Sequence, residues 1–193
     1  MWLKIGILSF LLYYMYDINM IFLKVKMGSV LFPLASLLLA SAAAGLVYSS
    51  FDSFDRGATG VVCLLMAVIM LALLIYTLFF ALPVKEAYSG EVLDDPVKVC
   101  DRGMYALCRH PGVIWFIGSA LFLYLTFPSA EMGKGMTVFC VMNFLYIVLQ
   151  DVVIFPRQFS DYGEYKEYTP FLIPNLRSIR RAVETGRKDS QNK

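Results

Sequence analysis

Residues 60–82 read GVVCLLMAVIMLALLIYTLFFAL, a run of this length without a single charged side chain. At 1.5 Å per residue such a helix covers the roughly 30 Å hydrocarbon core of a bilayer. It is apolar on every face, whereas the helix of a soluble domain keeps a polar side. Working outward, four more apolar runs follow the same logic, at 5–23, 29–48, 112–127 and 136–155. Asp17 and Asn19 interrupt the first. Only Lys4 precedes it and no small-residue cleavage site follows, so it is expected to be a span and not a leader. Composition agrees: 59% of the 193 residues are hydrophobic and mean hydropathy is +0.64, where a soluble domain is about half apolar. The expectation is an all-α integral membrane protein, a bundle of five transmembrane helices with a long loop and a C-terminal tail.

The cations predict how the bundle is threaded. Lys24 and Lys26 fill the first loop; Lys85, Lys98, Arg102 and Arg109 mark the third; the chain after Pro156 carries eight more Lys and Arg against five acids. The second and fourth loops hold only Arg56 and Lys134 beside Asp52, Asp55 and Glu131. With five spans all basic segments fall on one side, which predicts the N-terminus outside and the C-terminus in the cytosol. Three regions follow: 1–82 with the first three spans, 83–175 with the loop, two spans and an aromatic tail, and 176–193, a basic end expected to be solvated and frayed. The net charge of +2 gives no reason to expect a nucleic-acid partner; membrane lipids are the expected surroundings.

Little metal or phosphate chemistry is encoded. Cys63 and Cys140 fall inside spans, and Cys100 and Cys108 do not have zinc-site spacing. One histidine cannot build a His-rich site, so no metal is expected. No P-loop, GxGxxG, HExxH or GxSxG motif occurs.

The chemistry gathers around the third loop, PVKEAYSGEVLDDPVKVCDRGMYALCRHP, residues 83–111. A connection this long exceeds what joining two spans requires. Ser89-Gly90 and Asp95-Pro96 are turn signals. The loop ends in LCRHPG, which brings Arg109 and the single His110 to the start of span four, with Pro111 suited to a helix's first turn. Spans four and five are expected to form a hairpin through an outer loop at 128–135. That brings Gln150 and Asp151, about one and a half turns before Pro156, level with the Arg109-His110 corner. A carboxylate inside a span must face protein, water or a ligand. Its expected partners are Arg109, Arg157 or a bound cation, and a structural staple and a functional group both satisfy that placement. Beyond the span, Tyr162, Tyr165 and Tyr168 recur at one helix face, as an interfacial anchor or as a lid over the corner.

The ordered set DRGMYALCRHPG, an apolar hairpin, then YGEYKEYTPFLIPN resembles the isoprenylcysteine carboxyl methyltransferase family and its phospholipid methyltransferase relatives. The resemblance covers about residues 80–175. Val113 stands where that family has a tyrosine, and Gln150-Asp151 stands in place of its paired glutamates. What the resemblance implies is an integral membrane enzyme using S-adenosyl-L-methionine on a lipophilic or small-molecule methyl acceptor drawn from the bilayer. It implies catalytic roles for His110, Asp151 and Arg109. It also implies a cofactor-binding set of Gly103, Tyr105, Arg109, His110, Pro111, Gln150, Tyr165 and Tyr168. In that picture Arg109 offers a fork to the cofactor's carboxylate, and His110 bonds the cofactor or accepts a proton from the acceptor. Asp151 orients the site or balances the sulfonium charge. Two alternatives keep the same scaffold pattern: a non-catalytic membrane protein, and a sterol-reductase-like oxidoreductase, for which five spans are too few.

Overall fold

The computed structural model describes residues 1–81 and 98–191, apart from the side chains at 26–27 and 186–191. The turn signals at Ser89-Gly90 and Asp95-Pro96 lie outside the described residues. Within them the chain is helical, with no β-strand. Helix α1, Trp2–Ile18, runs on through a wider π-turn at Asn19–Leu23. Helix α2 is Leu31–Ser49 and α3 is Ala58–Phe79. A single turn, α4 (Met104–Leu107), precedes α5 (Pro111–Thr126) and α6 (Ala130–Leu149). The axis of α6 continues through a π-turn at Gln150–Ile154 and a last turn at Phe155–Gln158. Two surface helices close the chain, α7 (Tyr162–Tyr168) and α8 (Leu176–Gln191).

Four segments are long and apolar enough to cross a membrane: Trp2–Leu23, Gly28–Ser49, Ala58–Phe79 and Ala130–Gln158. The fifth, α5, has 16 residues and reaches only about 24 Å. Apolar side chains such as Leu37, Leu65 and Leu121 face outward from the bundle, as a lipid-facing surface requires. The protein is an all-α, multi-pass membrane bundle. Helices are the form such a chain must take, because lipid offers no hydrogen bonds to an unpaired backbone.

Local chemistry sets the helix ends. Lys24 adopts a left-handed conformation (φ 53°) and its N–H reaches the Asn19 carbonyl at 2.7 Å, ending α1. The Asn19 amide then clips the turn from both sides, donating to the Val25 carbonyl and accepting from its N–H. At the other end of the bundle, Ser129 caps α6 by accepting from the Met132 N–H at 3.1 Å. This cap moves the start of α6 up to Ala130, so the expected loop at 128–135 is mostly helix.

The π-turn in α6 has a cause in sequence. Pro156 lacks an N–H, and its ring would clash with the carbonyl four residues back in a regular helix. Widening the preceding turn relieves that clash and carries the helix on to Gln158. The last basic segment also differs from expectation. Residues 176–191 form a helix anchored at its start: Asn175 and Ser178 cap one another, and Arg181 donates to Asp101 while covering the Tyr168 ring.

The helices associate as two pairs, α1 with α2 and α3 with α5, and α6 joins the pairs. Phe10, Leu46, Phe127, Met132 and Phe139 pack at the join. Between apolar helices in lipid this packing acts through close contact more than through exclusion of water. At Gly6, α1 meets the Phe139 ring so closely that a Cβ would stand 2.0 Å from it. The remaining space between the pairs is a cavity of about 660 Å³. Leu39 and Ala43 of α2 line one wall, and Leu64 and Val68 of α3 line the facing one.

Candidate functional site

The Arg109-His110 corner closes one end of this cavity. Pro111 occupies the first turn of α5, where its missing N–H costs nothing. His110 immediately precedes the helix, and its backbone N–H donates to the Phe171 carbonyl at 3.3 Å. The Arg109 N–H donates to the Pro170 carbonyl at 2.9 Å. The segment after α7 therefore folds back and pairs, backbone to backbone, with the corner.

Asp151, on the π-turn of α6, is the hub. Its Oδ1 accepts from Arg109 Nε at 2.7 Å and from the Tyr162 hydroxyl at 2.6 Å. Its Oδ2 lies 3.1 Å from Lys166 Nζ and 3.4 Å from Arg109 Nη2. Arg109 spends its remaining arm, Nη1, on the Thr169 carbonyl at 2.7 Å. One carboxylate thus ties together the end of the third loop, α6 and α7. Of the partners expected for Asp151, Arg109 is the one it meets. Arg157 instead donates to the Val153 carbonyl and lies over the Phe22 ring.

His110 is nearly buried and stacked on Phe155 at 5.7 Å, with Phe171 edge-on at 5.1 Å. Its Nε2 stands 3.4 Å from Asp151 Oδ1, without hydrogen-bond geometry to any described group. Burial pushes the imidazole pKa below its ordinary value; the nearby Asp151 carboxylate pulls the other way and does not prevail. The ring is therefore neutral near pH 7, the form that accepts a proton. Burial likewise pushes the neighbouring Cys108 thiol up to about 11, far from nucleophilic range.

The other expected site residues fall into two groups. Tyr105 donates its hydroxyl to the Thr77 carbonyl at 3.1 Å, and its own carbonyl accepts from the Tyr165 hydroxyl at 2.6 Å. Gln150 turns away from Asp151 and donates to Asp17 of α1 at 2.9 Å. Tyr105, Arg109, His110, Pro111, Gln150 and Tyr165 all line the cavity. Gly103 and Tyr168 stand outside it. Gly103 has φ +55°, which serves the turn into α4, with no protein atom within 4 Å of a Cβ. Tyr168 lies under Arg181 and borders a shallower hollow of about 520 Å³ with Arg109, Lys166 and Arg177.

Several participants were not singled out from sequence. In the sequence Tyr162 reads only as part of the tyrosine stripe, yet it is 2% exposed and bonds the hub. Lys166 is four residues from Tyr162 on α7, so both project from one face toward Asp151. Asp17 reads in sequence as an interruption. Counting depth would have found it, because α1 and α6 both run toward the corner and bring Asp17 and Gln150 to one level.

No group of three or more His, Cys, Asp or Glu among the described residues could hold a metal ion. No family model, curated protein or solved structure matches the chain.

Proposed function

We propose that this protein is a membrane-embedded methyltransferase that uses S-adenosyl-L-methionine and takes a lipophilic acceptor through the gap between its two helix pairs. The observation that carries the reading is the cavity: apolar along its length, it ends at a neutral, nearly buried imidazole whose Nε2 lacks a hydrogen-bond partner among the described residues. An orphaned nitrogen at the polar end of a lipophile-sized pocket fits a site that handles a polar reacting group. Tyr105, Gln150 and Tyr165 border the same end and would hold the cofactor with His110. When bound, the cofactor supplies a methyl group on a sulfonium, an electrophile that needs alignment and dryness more than acid catalysis.

In this reading His110 accepts the proton that the acceptor releases. Phe155 and Phe171 keep water from the imidazole. Arg109 and Asp151 are positioning residues: their mutual bond and the Arg109 bond to Thr169 hold the tail against the corner. The fork that the family resemblance would give to a cofactor carboxylate is already occupied. The basic segments support a cytosolic corner end. Asp52→Cys and Arg180→Cys, both at exposed positions, are then expected to label from opposite sides of sealed vesicles.

The occupied fork favours a second reading, a non-catalytic lipophile-binding protein on the same scaffold. Calorimetric titration with S-adenosylhomocysteine separates the two. The transferase reading expects saturable binding by the wild type, weakened about tenfold by His110→Ala, the loss of one hydrogen bond to a polar ligand. No binding by folded wild-type protein rejects it.

A further inference from the structure

The cavity carries a second polar feature that the corner does not use. Asp17, in the membrane-spanning part of α1, is the one carboxylate among the described residues that line it. It is 6% exposed. Gln150 donates to its Oδ2 at 2.9 Å, and the Tyr146 hydroxyl is a further hydrogen-bonding neighbour. Both are neutral. No described cation stands within ion-pair distance; Arg109 and Lys166 are engaged with Asp151. Bundles of this kind rarely keep an intramembrane carboxylate without a partner or a task.

The walls beside Asp17 are aromatic. Tyr13, Tyr16, Phe32 and Tyr146 all line the cavity. Their rings form one connected group, with centroid separations of 5.4 Å for Tyr13–Phe32, 5.4 Å for Tyr16–Phe32 and 5.7 Å for Tyr13–Tyr146. Ring faces attract a cation, most strongly where water is excluded. The rest of the walls, from Leu39 and Ala43 to Leu64 and Val68, is aliphatic. The cations on the lining are Lys98 and Arg109, and Arg109 is already bonded to Asp151.

We propose that the cavity is a binding site for a lipophilic ammonium, a hydrocarbon body carrying one protonated or quaternary nitrogen. The nitrogen sits between Asp17 and the aromatic group, and the hydrocarbon lies along α2 and α3. A neutral lipid of the same length satisfies the walls and leaves Asp17 uncompensated. Binding of this kind requires no methyl transfer and no cofactor, so it stands or falls apart from the transferase reading.

The test uses the full chain in nanodiscs of neutral phosphatidylcholine, without S-adenosylmethionine. Tritiated dodecyltrimethylammonium and dodecanol are titrated in parallel, with empty nanodiscs subtracted. The wild type is expected to bind the ammonium saturably and about tenfold more tightly than the alcohol. Asp17→Asn keeps the shape and an acceptor for Gln150, and is expected to abolish that preference. Phe32→Leu, which removes a ring and no charge, is expected to weaken the ammonium alone. Equal binding of both probes by the wild type overturns the proposal whatever the variants do. So does an ammonium preference that survives in Asp17→Asn.

Discussion

Replacing Asp151 with Asn tests whether the hub is what holds the tail on the corner. The pair it forms with Arg109 is enclosed, with side chains 7% and 10% exposed. Removing one member of a buried pair leaves the other charged and unpaired, which costs about 3–5 kcal/mol. The Asn carbonyl still accepts from Arg109 Nε or the Tyr162 hydroxyl, which favours the lower end of that range. Its amide now points a donor at Arg109 Nη2 and Lys166 Nζ, so little of the remainder is recovered. Lys166 is 37% exposed, and its share is that of a solvent-screened pair, at most about 1 kcal/mol. The expected loss for Asp151→Asn is therefore about 3 kcal/mol, a large part of a stability of about 5–15 kcal/mol. Lys166→Met is expected to cost less than about 1 kcal/mol. The double change Arg109→Met with Asp151→Leu leaves no buried charge and is expected to regain most of the loss. Denaturant titration in a single detergent, followed by circular dichroism, measures all three. If Asp151→Asn unfolds like the wild type, or if Lys166→Met costs more than Asp151→Asn, the hub is not where the stability resides.

Three further outcomes follow from the corner and the segments beside it. Because burial holds the His110 pKa below its ordinary 6.5, the unfolded chain takes up a proton there before the folded chain does. Stability from this group is thus intact above pH 6.5 and is lost as pH falls below it. The fall in melting temperature between pH 7.5 and pH 5 should be smaller in His110→Gln than in the wild type, and equal slopes contradict the buried neutral imidazole. At Gly103, alanine meets no neighbour but must adopt φ +55°, so Gly103→Ala should cost about 1–2 kcal/mol. Gly163→Ala, also in open space but inside α7, should instead raise stability by about 0.5–1 kcal/mol; the same denaturant titration compares them.

The bundle was legible because lipid imposes one rule on every residue of a span. Uninterrupted apolar runs announced the helices, and the structure moves most of their ends by only a few positions. The exception, the start of α6, shows what run-counting misses. Glu131 and Lys134 look like loop residues by polarity, but the Ser129 side chain satisfies the Met132 N–H and starts the helix before them. A single cap outweighs two exposed charges that stay wet either way. The corner was legible in part for a similar reason: Arg109 and Asp151 had to meet because a hairpin returns the chain to the same depth.

What sequence hid were relations between segments far apart in the chain and joined by geometry that no local pattern encodes. Gln150 and Asp151 are adjacent, and in a regular helix their side chains diverge by about 100°. The π-turn that Pro156 imposes falls at these residues. Asp151 faces Arg109 and the tail, and Gln150 faces α1 and Asp17. The last span thus carries two polar faces at one depth. The first closes the end of the cavity; the second reaches the acid in its wall. Asp17, which reads as a flaw in the weakest span, becomes in this arrangement the counterpart of the corner on the opposite wall. The two acids differ in the one respect that matters for ligands. Asp151 is saturated by its own protein, whereas among the described residues Asp17 is met only by neutral donors. A positive ligand therefore gains more at the α1 wall than at the corner, where Arg109 and Lys166 already surround the acid.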